Sequence, residues 1–400
     1  MARFRARSLL VTVSALVLAG GCTAPASAQS RAATSKPAAS PAGSAPVTAD
    51  KAAPPPAAAR AAAITLPLAA PVTQLWPFKR LYNGDYVDVR AIAERYGLKA
   101  TWVSSGRILQ LADAQGRVRL RFEDRKHDFL LDGVRVFMGA TTVSHEGGLW
   151  VGKIDVIKTI APLLRPAEHA GQLPAPPRLI VLDAGHGGND PGIQNGPLHL
   201  NEKDMTLDVV LRLKKLLEAR GYQVLLTRTD DRKIDLDTRA GLANKAKADL
   251  FISVHFNGAG ATVTGTETYV LTPQFQVSTQ PEQDKSMVRT AYPGNRQDFA
   301  NVVLGYHLQQ AVLAGLQTSD RGFKHYRYAV LRFAECPAVL VESTYLSNDA
   351  EARRVGTPDF RQRIAQAIAD GVNDYAAVLA AFHPAASLPV EAHAPAATSK

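Results

Sequence analysis

The sequence predicts an α/β protein: a mixed, mostly parallel β-sheet flanked by helices, preceded by a small α+β domain. Three observations carry this expectation. Short, almost wholly apolar runs at 178–183 (RLIVLD), 250–254 (LFISV) and 338–341 (AVLV) have the length and composition of strands buried on both faces. Between the first two, residues 203–220 repeat apolar side chains at helical spacing (Met205, Val209, Leu213, Leu216, Leu217) and stop at Gly221. Upstream, apolar and polar residues alternate with period two between turn residues, the mark of hairpins.

In chain order, Arg3, Arg5 and Arg7 precede the apolar run 9–18, too short to span a bilayer, which reads as a signal peptide over 1–28. Two cleavage points compete. Leu18-Ala-Gly-Gly-Cys22 resembles a lipoprotein signal, with Ala19 where Leu is usual, and would leave a lipid on Cys22. Ala26-Ser-Ala28 offers ordinary cleavage before Gln29. Either route takes the chain to the cell envelope, periplasm or wall, with membrane contact only through the signal peptide or lipid anchor. Cys336 is then the remaining thiol, so no intrachain disulfide is expected. Residues 29–63 are Ala, Pro and Ser with little to bury, and read as a flexible linker; 383–400 share that composition and read as a disordered tail.

Residues 64–165 form the small module. The stretch 86–96 (YVDVRAIAERY) reads as a strand entering a helix closed by Gly97. Strand runs follow at 100–103, 107–111, 117–122, 129–131 and 134–138, the last two around the turn Asp132-Gly133. A linker at 166–177 leads to the larger domain, 178–382. The formal charge of +10 and pI of about 9.6 suit an anionic polymer. Nucleic acid is not expected: there is no helix-turn-helix, RNA-binding signature or arginine cluster interleaved with aromatics.

The candidate chemistry lies at strand ends, where open α/β sheets place their sites. His186 sits in a glycine-rich turn (LDAGHGG) after the first apolar strand, Glu202 begins the long helix, and His255 stands just past LFISV. Two histidines and a carboxylate are a usual three-ligand set for a hydrolytic zinc ion with an open position for water. Bound water there loses its proton near pH ~7 instead of ~15.7. Glu342, ending the apolar run 338–341, would carry that proton to a leaving amine. Asp183 is a candidate for orienting His186 or shaping its turn, Asn257 continues the loop after His255, and His325 could reach substrate. His199 lies three residues before Glu202, in a loop, and is set aside as a ligand.

These residues fall in ordered blocks: LDAGHGG, NEKD, LTRTDD, TRAGLANKAKADLFISVHFN, GTETYVL and RGFKHYRYAVLRFAECPAVLVES. In them the chain resembles the zinc-dependent N-acetylmuramoyl-L-alanine amidases of bacterial cell walls over roughly residues 178–379. The resemblance implies one Zn2+ on His186, Glu202 and His255, and Glu342 as the catalytic glutamate. Its substrate would be peptidoglycan, cut between the lactyl group of N-acetylmuramic acid and L-alanine. A protein activator, a zinc peptidase acting within the stem peptide, and a non-hydrolytic wall-binding homologue stay open. The chain departs from the family at Thr344, where a glycine is usual, with Tyr345 in the place of the family's aromatic, and in the polar segment 273–296, which reads as an inserted loop with the character of a lid or binding segment. The small module resembles the domain named for the copper amine oxidase N-terminus, without implying copper, and suggests wall binding, spacing or simple packing on the enzyme.

Overall fold

The protein is described from a computed structural model, for residues 76–82, 84–280, 282 and 284–383. The signal peptide, Cys22, the linker 29–63 and the tail from 384 lie outside the described residues.

The first part contains β1 (Lys79–Leu81), β2 (Gly84–Asp88), α1 (Val89–Arg95), β3 (Lys99–Ser104), β4 (Ile108–Ala112), β5 (Val118–Glu123), β6 (Asp128–Leu131), β7 (Val134–Phe137), β8 (Val143–His145) and β9 (Gly148–Gly152). Short helices α2 (Lys153–Asp155) and α3 (Ala161–Leu164) lead on. The rest is β10 (Leu179–Ala184), β11 (Gln194–Asn195), β12 (Leu200–Asn201), α4 (Glu202–Ala219), β13 (Gln223–Leu226), α5 (Leu236–Ala246), β14 (Leu250–Asn257), β15 (Thr266–Val270), α6 (Asp298–Leu316), β16 (Asp320–His325), α7 (Ala329–Phe333), β17 (Ala338–Tyr345), α8 (Asp349–Val355) and α9 (Pro358–Ala380).

The apolar runs form the centre of the main sheet. Its order is β13-β10-β14-β17-β15-β16-β7-β6-β5-β4-β3. β13, β10, β14 and β17 are parallel, while β15 runs antiparallel to β17. Strand parity explains why the central runs are apolar throughout. Ile180 and Leu182 of β10, Ile252 and Val254 of β14, and Val339 and Val341 of β17 point into the larger core, with Val209 and Leu213 of α4, Val303 of α6 and Ile368 of α9. Val181, Phe251 and Leu340 point the other way, against Ala240 and Ala243 of α5 and Leu331 of α7. Continuing that second face by steps of two gives Asp183, Ser253, His255 and Glu342, all on one side of the sheet near its carboxyl ends. Hydrophobic burial therefore aims the polar residues.

The small N-terminal module meets the larger domain through the sheet itself. β7 pairs in parallel with β16, Val136 beside Phe323, so the hairpins β3–β7 extend the main sheet. Leu111, Phe122 and Val136 share one core with the α4, α6 and α9 residues. Only β1, β2, β8 and β9 form a separate four-stranded sheet. Residues 166–172 are a 3-10 turn rather than a loose linker, with Pro166 and Leu173 buried. Within the module the expected strands appear, and Asp132 and Gly133, with φ of 47° and 85°, make the tight turn between β6 and β7.

A chain truncated to begin at Arg178 would uncover the β16 edge and part of the shared core. It should melt at a lower temperature than the full chain and aggregate more readily, which thermal unfolding followed by light scattering measures.

Candidate active site

His186 occupies the turn after β10 in a left-handed conformation, φ 61°, which is uncommon for a side chain of this kind and is held by its surroundings. Two buried arginines do the holding. Arg239 on α5 donates to Asp183 Oδ1 at 2.8 Å, to the Ala184 carbonyl at 2.7 Å and to the His186 carbonyl at 2.7 Å. Arg228 donates to the Ala184, Gly185 and Lys203 carbonyls at 3.0, 2.9 and 2.7 Å. Thr227 and Ser253 complete the Asp183 carboxylate, each at 2.7 Å. Gly185 is needed where it stands, since a Cβ there would lie 2.3 Å from the His255 ring.

Glu202, the first residue of α4, is 2% exposed. The Phe256 and Ile193 amides donate to its two oxygens at 3.0 and 2.8 Å, fixing the carboxylate plane. Its Oε1 lies 3.1 Å from His186 Nε2 and 2.9 Å from His255 Nδ1, and Asp190 Oδ2 stands 3.0 Å from the other His186 nitrogen. Burial works against the Glu202 carboxylate, but the hydrogen bonds and charges of the two histidines outweigh it and hold its pKa well below the usual range. For His186 the same contest goes the other way: burial lowers its pKa, and Glu202 and Asp190 together raise it above the ordinary value.

This donor set suits a metal ion. The three ligand atoms lie within 4.8 Å of one another. A tetrahedral ion bound to nitrogen and oxygen at about 2.0–2.1 Å sets neighbouring donors about 3.3 Å apart, close to the Glu202 contacts. Glu342 stands beside His255 across the parallel β14–β17 pair and beside Glu267 across the antiparallel β15–β17 pair. Its Oε2 is buried with no hydrogen-bond partner in the protein. Burial first, then the charges of Glu202 and Glu267, push its pKa well above the ordinary carboxyl value. A carboxyl whose pKa is raised in this way holds its proton more readily than an exposed one.

The structure brings His186, Glu202 and His255 together and sets Glu342 beside them. Asp183 is fully buried and turned towards Arg239, Thr227 and Ser253, so it shapes the turn and reaches His186 only through Arg239. Asn257 accepts the Gly258 amide at 2.8 Å and so braces its own loop. His325 as a substrate contact is corrected: it is 1% exposed, its ring lies against Phe323, and burial lowers its pKa to about 4. His199 is exposed and outside the ligand group. Thr344 runs as ordinary extended chain inside β17, so no glycine is needed there, and the Tyr345 hydroxyl donates to Glu267. Glu267 went unrecognised in the sequence, where GTETYVL reads as a strand. It is buried and binds Lys324 Nζ at 2.8 Å, Arg321 Nε at 2.9 Å and the Tyr269 hydroxyl at 2.5 Å. A lone acid in an apolar strand was the available signal.

Fold and site together describe an α/β protein in which two histidines and a glutamate gather as a possible metal site, with the Glu342 carboxyl beside them. The family model for N-acetylmuramoyl-L-alanine amidase matches residues 180–374. Relatives include an uncharacterised Bacillus subtilis protein, YqiI, 32% identical over 54% of this chain and 91% of its own length. The Escherichia coli N-acetylmuramoyl-L-alanine amidase AmiA is 31% identical over 50% of this chain and 76% of its own. The Neisseria meningitidis N-acetylmuramoyl-L-alanine amidase AmiC is 33% identical over 49% of this chain, which spans 52% of that longer protein. The chain belongs to the N-acetylmuramoyl-L-alanine amidase family.

Replacing Arg239 with Ala strands the Asp183 carboxylate in the core and frees the His186 turn. The expected cost is about 3–5 kcal/mol in urea unfolding, as for other broken buried pairs, whereas Asp235→Ala, at the exposed start of α5, should change stability little.

Proposed function

We propose that this chain is a zinc-dependent peptidoglycan amidase of the cell envelope, hydrolysing the bond between the lactyl group of N-acetylmuramic acid and L-alanine of the stem peptide. The observation that carries the reading is the gathering of one donor atom each from His186, Glu202 and His255 within 4.8 Å, with Glu342 in register beside His255. His186, Glu202 and His255 would hold the ion. When bound, zinc supplies a Lewis acid for the scissile carbonyl and makes water acidic enough to react near neutral pH.

The chain's own residues do the rest. Glu342 takes the proton of the attacking water and returns it to the departing alanine nitrogen, a shuttle that its buried, unpartnered Oε2 suits. Asp190 beside His186, and the backbone amides on Glu202, keep the ligands in orientation. Glu267, neutralised by Lys324 and Arg321, supports the Glu342 strand without competing for the proton. The geometry would serve a peptidase within the stem peptide equally well; family membership favours the amide at the sugar.

Glu342→Gln should keep zinc yet lose turnover by at least ~100-fold, within the range for a lost acid–base group. His186→Ala should lower bound zinc, measured by elemental analysis, as well as turnover. Chelation should abolish activity and zinc readdition restore it. Mass spectrometry of digested peptidoglycan decides the bond: free stem peptides beginning with L-alanine establish the amidase, and shortened peptides still on the sugar establish a peptidase.

A further inference from the structure

A cleft of about 300 Å³ opens between the small four-stranded sheet and the segment after β15. Arg80, Asp85 and Tyr86 line it from the β1–β2 hairpin, Lys153 from α2, and Phe275 and Val277 from the inserted segment. None of the metal-site residues or Glu342 belongs to its lining.

Of the exposed aromatic side chains among the described residues, Phe275, 58% exposed, lines the cleft, and Phe78, 52% exposed, lies beneath the ammonium of the lining residue Lys153 at 3.5 Å. Val277 adds another open apolar surface. Phe275 also sits in left-handed backbone, φ 67°. That conformation favours glycine and is strained for a bulky residue. Its ring does not recover the cost by burial, so folding alone does not account for it.

The segment that carries Phe275 is nevertheless held by hydrogen bonds and close packing. Phe275 donates its amide to the Val288 carbonyl at 2.7 Å. Gln276, between the two open side chains, is 3% exposed and donates from Nε2 to Asp155 Oδ1 at 2.9 Å. It lies so close to Gly139 that a Cβ there would meet Gln276 Cγ at 2.3 Å. Buried Arg327 holds the segment from beneath through the Pro273 and Gln276 carbonyls and Glu282. Fixed aromatic faces beside polar groups suit a ligand that is apolar on one face and polar at its rim. The Arg80–Asp85 pair, 2.9 Å apart, offers donors and acceptors at that rim. Two cations, Arg80 and Lys153, beside two acids, Asp85 and Asp155, do not match a polyanion, and so small a built cleft does not match a membrane. A sugar ring, with a C–H face and hydroxyl and acetamido edges, fits.

We propose that this cleft is a second binding site, for amino-sugar rings of the polymer whose stem peptides the active site releases. The proposal rests on the amidase reading for the identity of that polymer. It gives the fused module and the inserted segment one task, gripping the glycan while the metal centre works.

The test uses the full chain carrying Glu342→Gln, so that purified insoluble peptidoglycan is bound and not digested. In a sedimentation assay, Phe275→Gly should weaken binding roughly tenfold or more, the effect of losing an aromatic anchor. The melting temperature should stay level or rise, because glycine relieves the left-handed position. Phe275→Trp should keep binding, and a soluble N-acetylglucosamine oligomer should compete. Undiminished binding by the glycine variant would overturn the site. So would competition by free stem peptides but not by the oligomer, or a fall in melting temperature that accounts for the loss. Stem-peptide release by the chain with Glu342 intact is read separately: its failure removes the amidase reading, whereas the binding difference speaks only to the cleft.

Discussion

The buried pair of Asp183 and Arg239 is the constraint on which the site depends. A charge pair almost fully removed from water survives only if its remaining hydrogen-bonding capacity is met. Here Asp183 takes Thr227 and Ser253 as well, while Arg239 spends its other donors on the Ala184 and His186 carbonyls. The pair therefore ties the end of β10, the middle of β14 and helix α5 to the turn that carries His186. Arg228 adds the start of α4, through the Lys203 carbonyl next to Glu202. Positions far apart in sequence are thus set in one frame before any ligand arrives, which is the preorganisation a three-donor centre needs.

Within that frame the sheet decides direction. Period-two alternation sends Val181, Phe251 and Leu340 into the smaller core and, by the same rule, sends Asp183, His255 and Glu342 to the site face. This is why so much of the centre was legible in the sequence. Apolar runs of strand length mark which residues end a strand, and His186, His255 and Glu342 stand at or just beyond those ends. Glu202 was legible as a helix start, and the structure adds that its carboxylate is locked by two amides.

What was not legible required knowing which strands meet. Nothing in TETYV marks Glu267 as the neighbour of Glu342, because the β15–β17 pair is antiparallel and is formed from segments more than sixty residues apart. Arg228 and Arg239 read as surface arginines of a loop and a helix until their carbonyl partners are known. His325 misled for a related reason. Its place near the Glu342 block suggested access, yet alternate residues of β16 face opposite sides: Lys324 reaches Glu267, while Phe323 packs in the larger core and His325 is sealed against it. How the module meets the larger domain was not legible either, because the join lies at β7 and β16, which sequence separates by more than one hundred and eighty residues.

That join also explains the inserted segment. A polar stretch of more than twenty residues after a core strand would ordinarily carry a large ordering cost with little burial to offset it. Two fixed bodies constrain it here. Arg327, just past β16, binds it from the catalytic side, and Asp155 with Gly139 receives Gln276 on the module side. Because β7 and β16 are strands of one sheet, those anchors cannot drift apart, and the segment is ordered by a scaffold that exists for other reasons. The same continuity makes the module a poor candidate for a freely swinging appendage. A ligand held by the module would sit at a set orientation to Glu342, because the module and the strand that carries Glu342 belong to one sheet.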